Sequence, residues 1–205
     1  MDSYKTVSVE ASDEFIEKKS KFIGYVKPVK TVDEAMEFVN SIKQKHWDAT
    51  HNCSAYMIGE NDLIQKANDD GEPSGTAGVP ILEVKKKKGL KDTVVVVTRY
   101  FGGIKLGAGG LIRAYGGSAS EGINATGVVE RRLMRVMKST FDYTLLGKIE
   151  NELRNSSYTI KEIHYLDKVM IESFAEEDGK QVFIDWMTDL SNGQASIEEG
   201  EMLYL

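Results

Sequence analysis

Fifteen consecutive residues, Arg99-Tyr100-Phe101-Gly102-Gly103-Ile104-Lys105-Leu106-Gly107-Ala108-Gly109-Gly110-Leu111-Ile112-Arg113, join fixed positive charges to a stretch of chain largely bare of side chains. Without Cβ atoms, successive backbone N–H groups can turn towards one anion, and a following helix adds positive potential at its start. Arg99, Lys105 and Arg113 supply full charges, arginine as a fork suited to phosphate oxygens. Tyr100 and Phe101 offer ring faces on which bases stack. The expected site is therefore an anion or nucleic-acid site built from Arg99, Tyr100, Phe101, Gly102, Gly103, Lys105, Gly107 and Arg113. The alternative is that the glycines only permit a tight strand-to-helix connection, with both rings in the core. The spacing is neither G-x-x-x-x-G-K-[ST] nor G-x-G-x-x-G, so no standard nucleotide motif is met.

Three further clusters carry reactive side chains. In Asp69-Asp70-Gly71-Glu72-Pro73-Ser74-Gly75-Thr76-Ala77-Gly78-Val79-Pro80, carboxylates sit beside hydroxyls. Asp70, Glu72, Ser74 and Thr76, with His51, form a candidate ligand loop. Ser74 lies in no G-x-S-x-G elbow, and the same residue types build ordinary tight turns. A structural or ligand-positioning loop is favoured over a catalytic one. The segment His46-Trp47-Asp48-Ala49-Thr50-His51-Asn52-Cys53 matches no common zinc spacing. His51 and Cys53 are expected to be partly buried at the start of a strand. Lys85, Lys86, Lys87 and Lys88, followed by Lys91, read either as a phosphate-seeking patch or as a solvated last helical turn. Arg131, Arg132 and Arg135 form a second basic group. No catalytic residue, metal or cofactor is assigned.

The elements that would position these groups follow from spacing. Tyr4–Val29 reads as two extended segments, the clearer at Phe22–Val26. Thr31 and Glu34 make a capping box for a helix carrying Val32, Ala35, Met36, Val39 and Ile42 on one face. Asn52–Ile58 and Asp62–Ala67 form a strand pair around Gly59-Glu60-Asn61. A short helix is expected from Pro80 to Gly89. Asp92–Tyr100, with four consecutive valines, reads as a strand buried on both faces. Leu111–Ala125 has helical spacing despite Gly116, Gly117 and Gly122, so close packing or turns are implied. Beyond residue 138 the order is strand (Phe141–Leu146), helix (Gly147–Asn155), strand (Thr159–Tyr165), strand (Lys168–Phe174), helix (Gly179–Leu190) and strand (Ala195–Leu205). This βαββαβ order is ferredoxin-like.

Composition bounds the rest. The chain has 205 residues, 41% hydrophobic and 28% charged, which fits a globular protein of one large or two small domains. Its longest strand-like apolar run, Val94–Val97, is far from the roughly 18 residues of a membrane span. Met1-Asp2-Ser3-Tyr4-Lys5 lacks the character of a secretory signal. One cysteine excludes an internal disulfide. A cytoplasmic protein without membrane contact is expected. Residues 1–138 hold 21 Lys and Arg against 18 Asp and Glu, a net of +3, whereas residues 139–205 hold 5 against 14, a net of −9. The break near Arg131–Lys138 suggests two domains, 1–134 and 138–205, with any polyanion meeting the first.

Val96-Val97-Thr98-Arg99-Tyr100-Phe101-Gly102-Gly103-Ile104-Lys105-Leu106-Gly107 resembles the signature of the IMPACT family, whose bacterial branch is called YigZ-like. Asp69-Asp70-Gly71-Glu72-Pro73-Ser74-Gly75-Thr76-Ala77-Gly78 and His51-Asn52-Cys53-Ser54-Ala55-Tyr56 fit the same family in the same order. The likeness covers the whole chain, with Gly116-Gly117 as one departure that bears on helix length. The resemblance implies an α+β protein: a left-handed βαβ domain of the type shared by a small-subunit ribosomal protein and the fourth domain of elongation factor G, then a ferredoxin-like domain similar to that factor's last. Eukaryotic relatives act in translational control through an additional N-terminal domain absent from this sequence, so that role does not transfer. The family has no agreed active site from which catalytic residues could be carried over.

The leading expectation is a non-enzymatic RNA- or ribosome-binding protein, a regulator of translation, with its acidic domain meeting a protein partner. The alternatives are an enzyme acting on a small phosphorylated ligand through the glycine-rich loop, and a protein-interaction adaptor.

Overall fold

The computed structural model describes residues 3–59 and 62–205. Glu60 and Asn61 of the expected turn lie outside the described residues, as do Met1 and Asp2. The chain is α+β and divides into two compact units, Tyr4–Glu130 and Arg131–Leu205, the latter also taking in Ser3. No helix among the described residues is long and apolar enough to cross a membrane.

The chain opens with three strands, where two extended segments are expected: β1 (Ser3–Val7), β2 (Ala11–Glu17) and β3 (Ser20–Pro28). Then follow α1 (Val32–Lys45), β4 (His51–Ile58), β5 (Ile64–Asn68), α2 (Gly78–Lys87), β6 (Thr93–Tyr100) and α3 (Gly107–Thr126). Thr31 caps the helix as expected, its Oγ1 accepting from the Glu34 N–H at 3.1 Å, but the Glu34 carboxylate reaches one residue further back than a capping box requires and accepts from the Lys30 N–H at 2.6 Å. The sheet runs β2-β3-β6-β4-β5. Both β3 and β4 pair antiparallel to β6 between them, so they are parallel to each other and β3-α1-β4 is a βαβ unit.

The four valines are buried because this sheet is covered on both faces. Val94 and Val96 pack with Phe38, Val39 and Ile42 of α1, whereas Val95 and Val97 pack with Ile81 of α2 and Tyr115 and Ile123 of α3. Period-two alternation then sends the next two side chains apart. Arg99 follows Val95 and Val97 towards α3, and Tyr100 joins the α1 side.

Helix α3 begins four residues earlier than its apolar spacing suggests, so Gly107, Gly109 and Gly110 belong to its first turn. Its interior glycines differ in purpose. A Cβ on Gly122 would come within 2.9 Å of Gly24 O and of a Val26 methyl, whereas one on Gly117 would meet nothing within 4 Å.

The second unit contains β7 (Val128–Phe141), α4 (Leu146–Asn155), β8 (Thr159–Tyr165), β9 (Val169–Glu176), α5 (Lys180–Leu190) and β10 (Ser196–Tyr204). Its strands form an antiparallel sheet in the order β10-β7-β9-β8, the ferredoxin-like arrangement. Phe141, Ile149, Leu153, Ile171, Phe183 and Met187 fill the core. The strand expected at Phe141–Leu146 is corrected: Tyr143–Leu145 is a 3-10 turn entering α4, and the strand precedes it. The basic group at 131–138 lies within β7. Arg132 and Arg135 have acidic partners there, Arg132 donating to Glu176 at 2.7 Å and Arg135 to Glu177 at 2.6 and 2.8 Å.

Two expectations follow. Alanine at Gly117 removes the cost of a helical glycine and should stabilise by about 1 kcal/mol, while alanine at Gly122 should destabilise by about 1–3 kcal/mol through overpacking. Urea denaturation of both variants checks the opposite signs. The forked bond from Arg135 also pulls the Glu177 carboxyl down to about 2 from an ordinary 4.5, against the burial that opposes it. A lowered folded-state value adds stability above pH 4.5 that is lost as pH falls towards 2. The stability difference between the native chain and Glu177→Gln should shrink over that window in denaturation curves taken at successive pH values.

Candidate anion-binding cleft

The three motif segments converge at one end of the first sheet. β4 starts there, β6 ends there, the loop 69–77 lies between β5 and α2, and α3 begins beside them. Between them is a cleft of about 440 Å³ lined by Thr50, His51, Glu72, Pro73, Arg99, Phe101, Lys105, Leu106, Gly107, Ala108 and Leu111.

Glu72 is its floor. The side chain is only 4% exposed, and a carboxylate so deep requires partners. Arg99 Nη1–H donates to Oε1 at 2.6 Å and the Tyr115 hydroxyl donates to the same oxygen at 2.7 Å. Arg99 is itself buried, its guanidinium carbon 5.6 Å from the ring centre of Phe22 and 5.5 Å from that of Phe101. Burial and the neighbouring thiol and carboxylate push the Tyr115 phenol far above its ordinary value, so it stays a donor. Arg99 Nη2 faces Ser20 Oγ at 3.4 Å. Its buried Nε–H has no acceptor among the described residues.

The loop holding Glu72 is braced from below. Asp69 accepts from the N–H groups of Gly75, Ala77 and Gly78 at 2.9, 3.1 and 2.8 Å. Burial works to raise its carboxyl, but these donors outweigh it and hold it below the usual range. Asp70 accepts from Lys43 Nζ and from the Asn52 N–H, each at 2.7 Å. His51 Nδ1–H donates to Asp70 O at 2.8 Å. Cys53 Sγ–H donates to Asp69 O at 3.0 Å, and burial pushes its thiol up to about 12. That thiol is no nucleophile at neutral pH.

The loop after β6 is shut along its first half and open along its second. Phe101 N–H donates to Thr50 Oγ1 at 2.9 Å and Gly102 N–H to Ser20 Oγ at 3.2 Å. A Cβ on Gly102 would fall 2.0 Å from Lys19 backbone atoms, so only glycine fits. Gly103 and Gly107, with φ of 84° and 72°, face open space. The N–H groups of Gly103, Ile104 and Lys105, and of Gly107–Gly109 in the first turn of α3, have no acceptor among the described residues. Leu106 offers no capping side chain and the first turn holds no acid. The positive end of a 20-residue helix thus opens on the cleft beside Lys105, with Phe101 48% exposed at its mouth.

Of the residues singled out from sequence, the cleft gathers His51, Glu72, Arg99, Phe101, Lys105 and Gly107. Others lie elsewhere. Arg99 is committed to Glu72 and is not a free charge. Tyr100 is bound at its hydroxyl by His46 at 2.7 Å and Asp48 at 3.2 Å, on the α1 side. Arg113 lines a separate groove with Phe15, Glu17 and Lys18. Asp70 braces the loop, Thr76 bonds back to Pro73 O, and Ser74 lies outside the cleft. Lys85 is fully buried and donates to Thr93 O, its amine lowered well below the ordinary value by burial. Lys86 and Lys87 remain exposed, Lys86 near Glu83 at 3.4 Å, and Lys88 reaches Asn124. Sequence reasoning did not find Thr50, Tyr115 or Ser20; a hydroxyl or phenol distant in sequence leaves no local signal.

Comparison with known proteins agrees on the whole chain. Residues 18–123 match the Impact N-terminal domain, and residues 140–194 match a domain of unknown function (DUF1949). IMPACT family member YvyE of Bacillus subtilis is 63% identical over 203 residues, covering 99% of this chain and 94% of that one. IMPACT family member YigZ of Escherichia coli is 36% identical, covering 69% and 74%. Protein IMPACT of Rattus norvegicus is 33% identical over 96 residues, 44% of this chain and 30% of its own. A solved structure of a hypothetical protein, 29% identical, superposes with a TM-score of 0.63 over 98% of both chains.

The buried pair sets an expectation. Removing one partner strands the other charge, so Arg99→Ala should cost about 3–5 kcal/mol. The double variant Arg99→Met, Glu72→Met should lose less than Arg99→Ala alone. Chemical denaturation of the two checks the order.

Proposed function

The chain belongs to the IMPACT family, and we propose that it is a non-enzymatic RNA- or ribosome-binding protein whose cleft at the start of α3 takes a backbone phosphate. The observation that carries this reading is the open start of α3: the N–H groups of Lys105, Gly107 and Ala108, residues that line the cleft, have no acceptor among the described residues. A phosphate oxygen satisfies both the orphan N–H groups and the positive end of the helix dipole. The half-exposed Phe101 ring gives a neighbouring base a face to stack on. The adjoining lysines contribute less than their number suggests. Lys85 is internal, and Lys86 and Lys87 lie outside the cleft.

Fluorescence anisotropy of a labelled oligouridylate, titrated at several salt concentrations, tests the reading. Log affinity should fall linearly with log salt as counterions compete for the phosphates. Lys105→Glu should weaken binding about tenfold and reduce the salt slope by about 1, more than Lys86→Glu or Lys87→Glu. A salt-independent or absent interaction contradicts it. Tight binding of a mononucleotide, with nothing gained on lengthening the chain, would instead support an enzyme of small phosphorylated ligands.

A further inference from the structure

We propose that the second unit holds a divalent metal site of the zinc class, formed by Glu162 and His164 of β8 and Glu172 of β9. None of the cleft residues takes part, so the site is independent of the RNA-binding reading above. Ile163 and Ile171, register partners across the two strands, belong to the core of this unit. Period-two alternation sends their neighbours to the other face of the sheet, where Glu162 and His164 meet Glu172. A register shift between Ile160 and Glu162 sets Glu162 directly opposite Glu172. Bulges of this kind re-aim side chains.

Two carboxylates directly opposed across a ladder repel each other, and Glu172 is only 8% exposed. Its lysine partners offset its own charge: Lys161 Nζ is 3.2 Å from Oε2 and Lys138 Nζ 3.8 Å from Oε1. Glu162 has no lysine or arginine partner among the described residues and depends on His164.

The histidine supplies a second observation. His164 Nε2 is buried and makes no hydrogen bond among the described residues. It stands 3.7 Å from Glu162 Oε2 and 3.9 Å from Glu172 Oε2. Neither distance is a hydrogen bond, whether or not the ring carries a proton there. All three ligand atoms lie within 4.8 Å of one another. A tetrahedral ion with bonds of about 2.0–2.1 Å holds its ligand atoms about 3.3 Å apart. The two histidine–carboxylate gaps are therefore too long for a shared proton and close to the spacing an ion imposes.

The donor set selects the metal. One imidazole nitrogen with carboxylates suits zinc, whereas magnesium and calcium prefer oxygen alone. Three protein ligands leave the fourth position to water. Lys161 also bonds Glu201 Oε1 at 3.2 Å, so it can release Glu172 to the ion and keep a partner. The ion would fasten β8, the last strand in the order β10-β7-β9-β8, to its neighbour.

The full chain, stripped with a chelator, is titrated with zinc chloride by calorimetry, with magnesium chloride in parallel. One equivalent of zinc should bind and raise the melting temperature, and magnesium should not. His164→Ala and Glu162→Gln should each weaken zinc at least about tenfold, a loss that even an outer partner of a metal ligand produces. Nitrogen-15 spectra of the three histidine rings need no variant. Zinc should shift His164 Nε2 and leave His46 and His51 in place. Absent zinc binding, unchanged affinity in a folded His164→Ala, or ring shifts confined to His46 and His51 overturns the site. Magnesium binding as tight as zinc overturns the nitrogen ligand and with it the metal class.

Discussion

One buried ion pair organises the site. Glu72 arrives on the loop between β5 and α2, Arg99 near the end of β6, and Tyr115 from the third turn of α3. Three segments far apart in sequence are thereby pinned at one carboxylate oxygen. Such a pair adds little net stability, since the desolvation of both charges offsets most of their attraction. What it supplies is position, because neither charge can be left alone at that depth without a large penalty. The guanidinium, fixed also between Phe22 and Phe101, in turn fixes the ring at the cleft mouth.

The glycine-rich segment divides its labour along its length. Gly102 exists for contact, allowing the chain to press on the turn between β2 and β3. Past that point the backbone swings away into open space, and the donors of the next residues are released. The loop is thus neither fully packed nor fully free. Its rigid half anchors the half that offers N–H groups, which is the arrangement preorganised binding requires.

Much of this was legible in the sequence. The capping residues Thr31 and Glu34, the four valines and the alternation after residue 155 each announced their elements through local chemistry. The strand Val128–Phe141 did not, because its arginines and lysine resemble a surface run until their acidic partners on other elements are known. Lys85 hid for the same reason: in a row of four lysines nothing local marks the one that turns inward. The site was half legible. Glycine content and charge pointed at the loop, but the parity of β6 alone decided that Arg99 and Tyr100 part company. A guanidinium read as free for phosphate was already engaged by Glu72.

The central claim is that the bare donors at the start of α3 receive a phosphate oxygen, and it is reached most directly by nitrogen-15 NMR. Titration with uridine monophosphate should shift the amides of Lys105, Gly107 and Ala108 together, on one binding isotherm. Shifts confined to Lys86 and Lys87, or none anywhere in the first unit, would contradict the account.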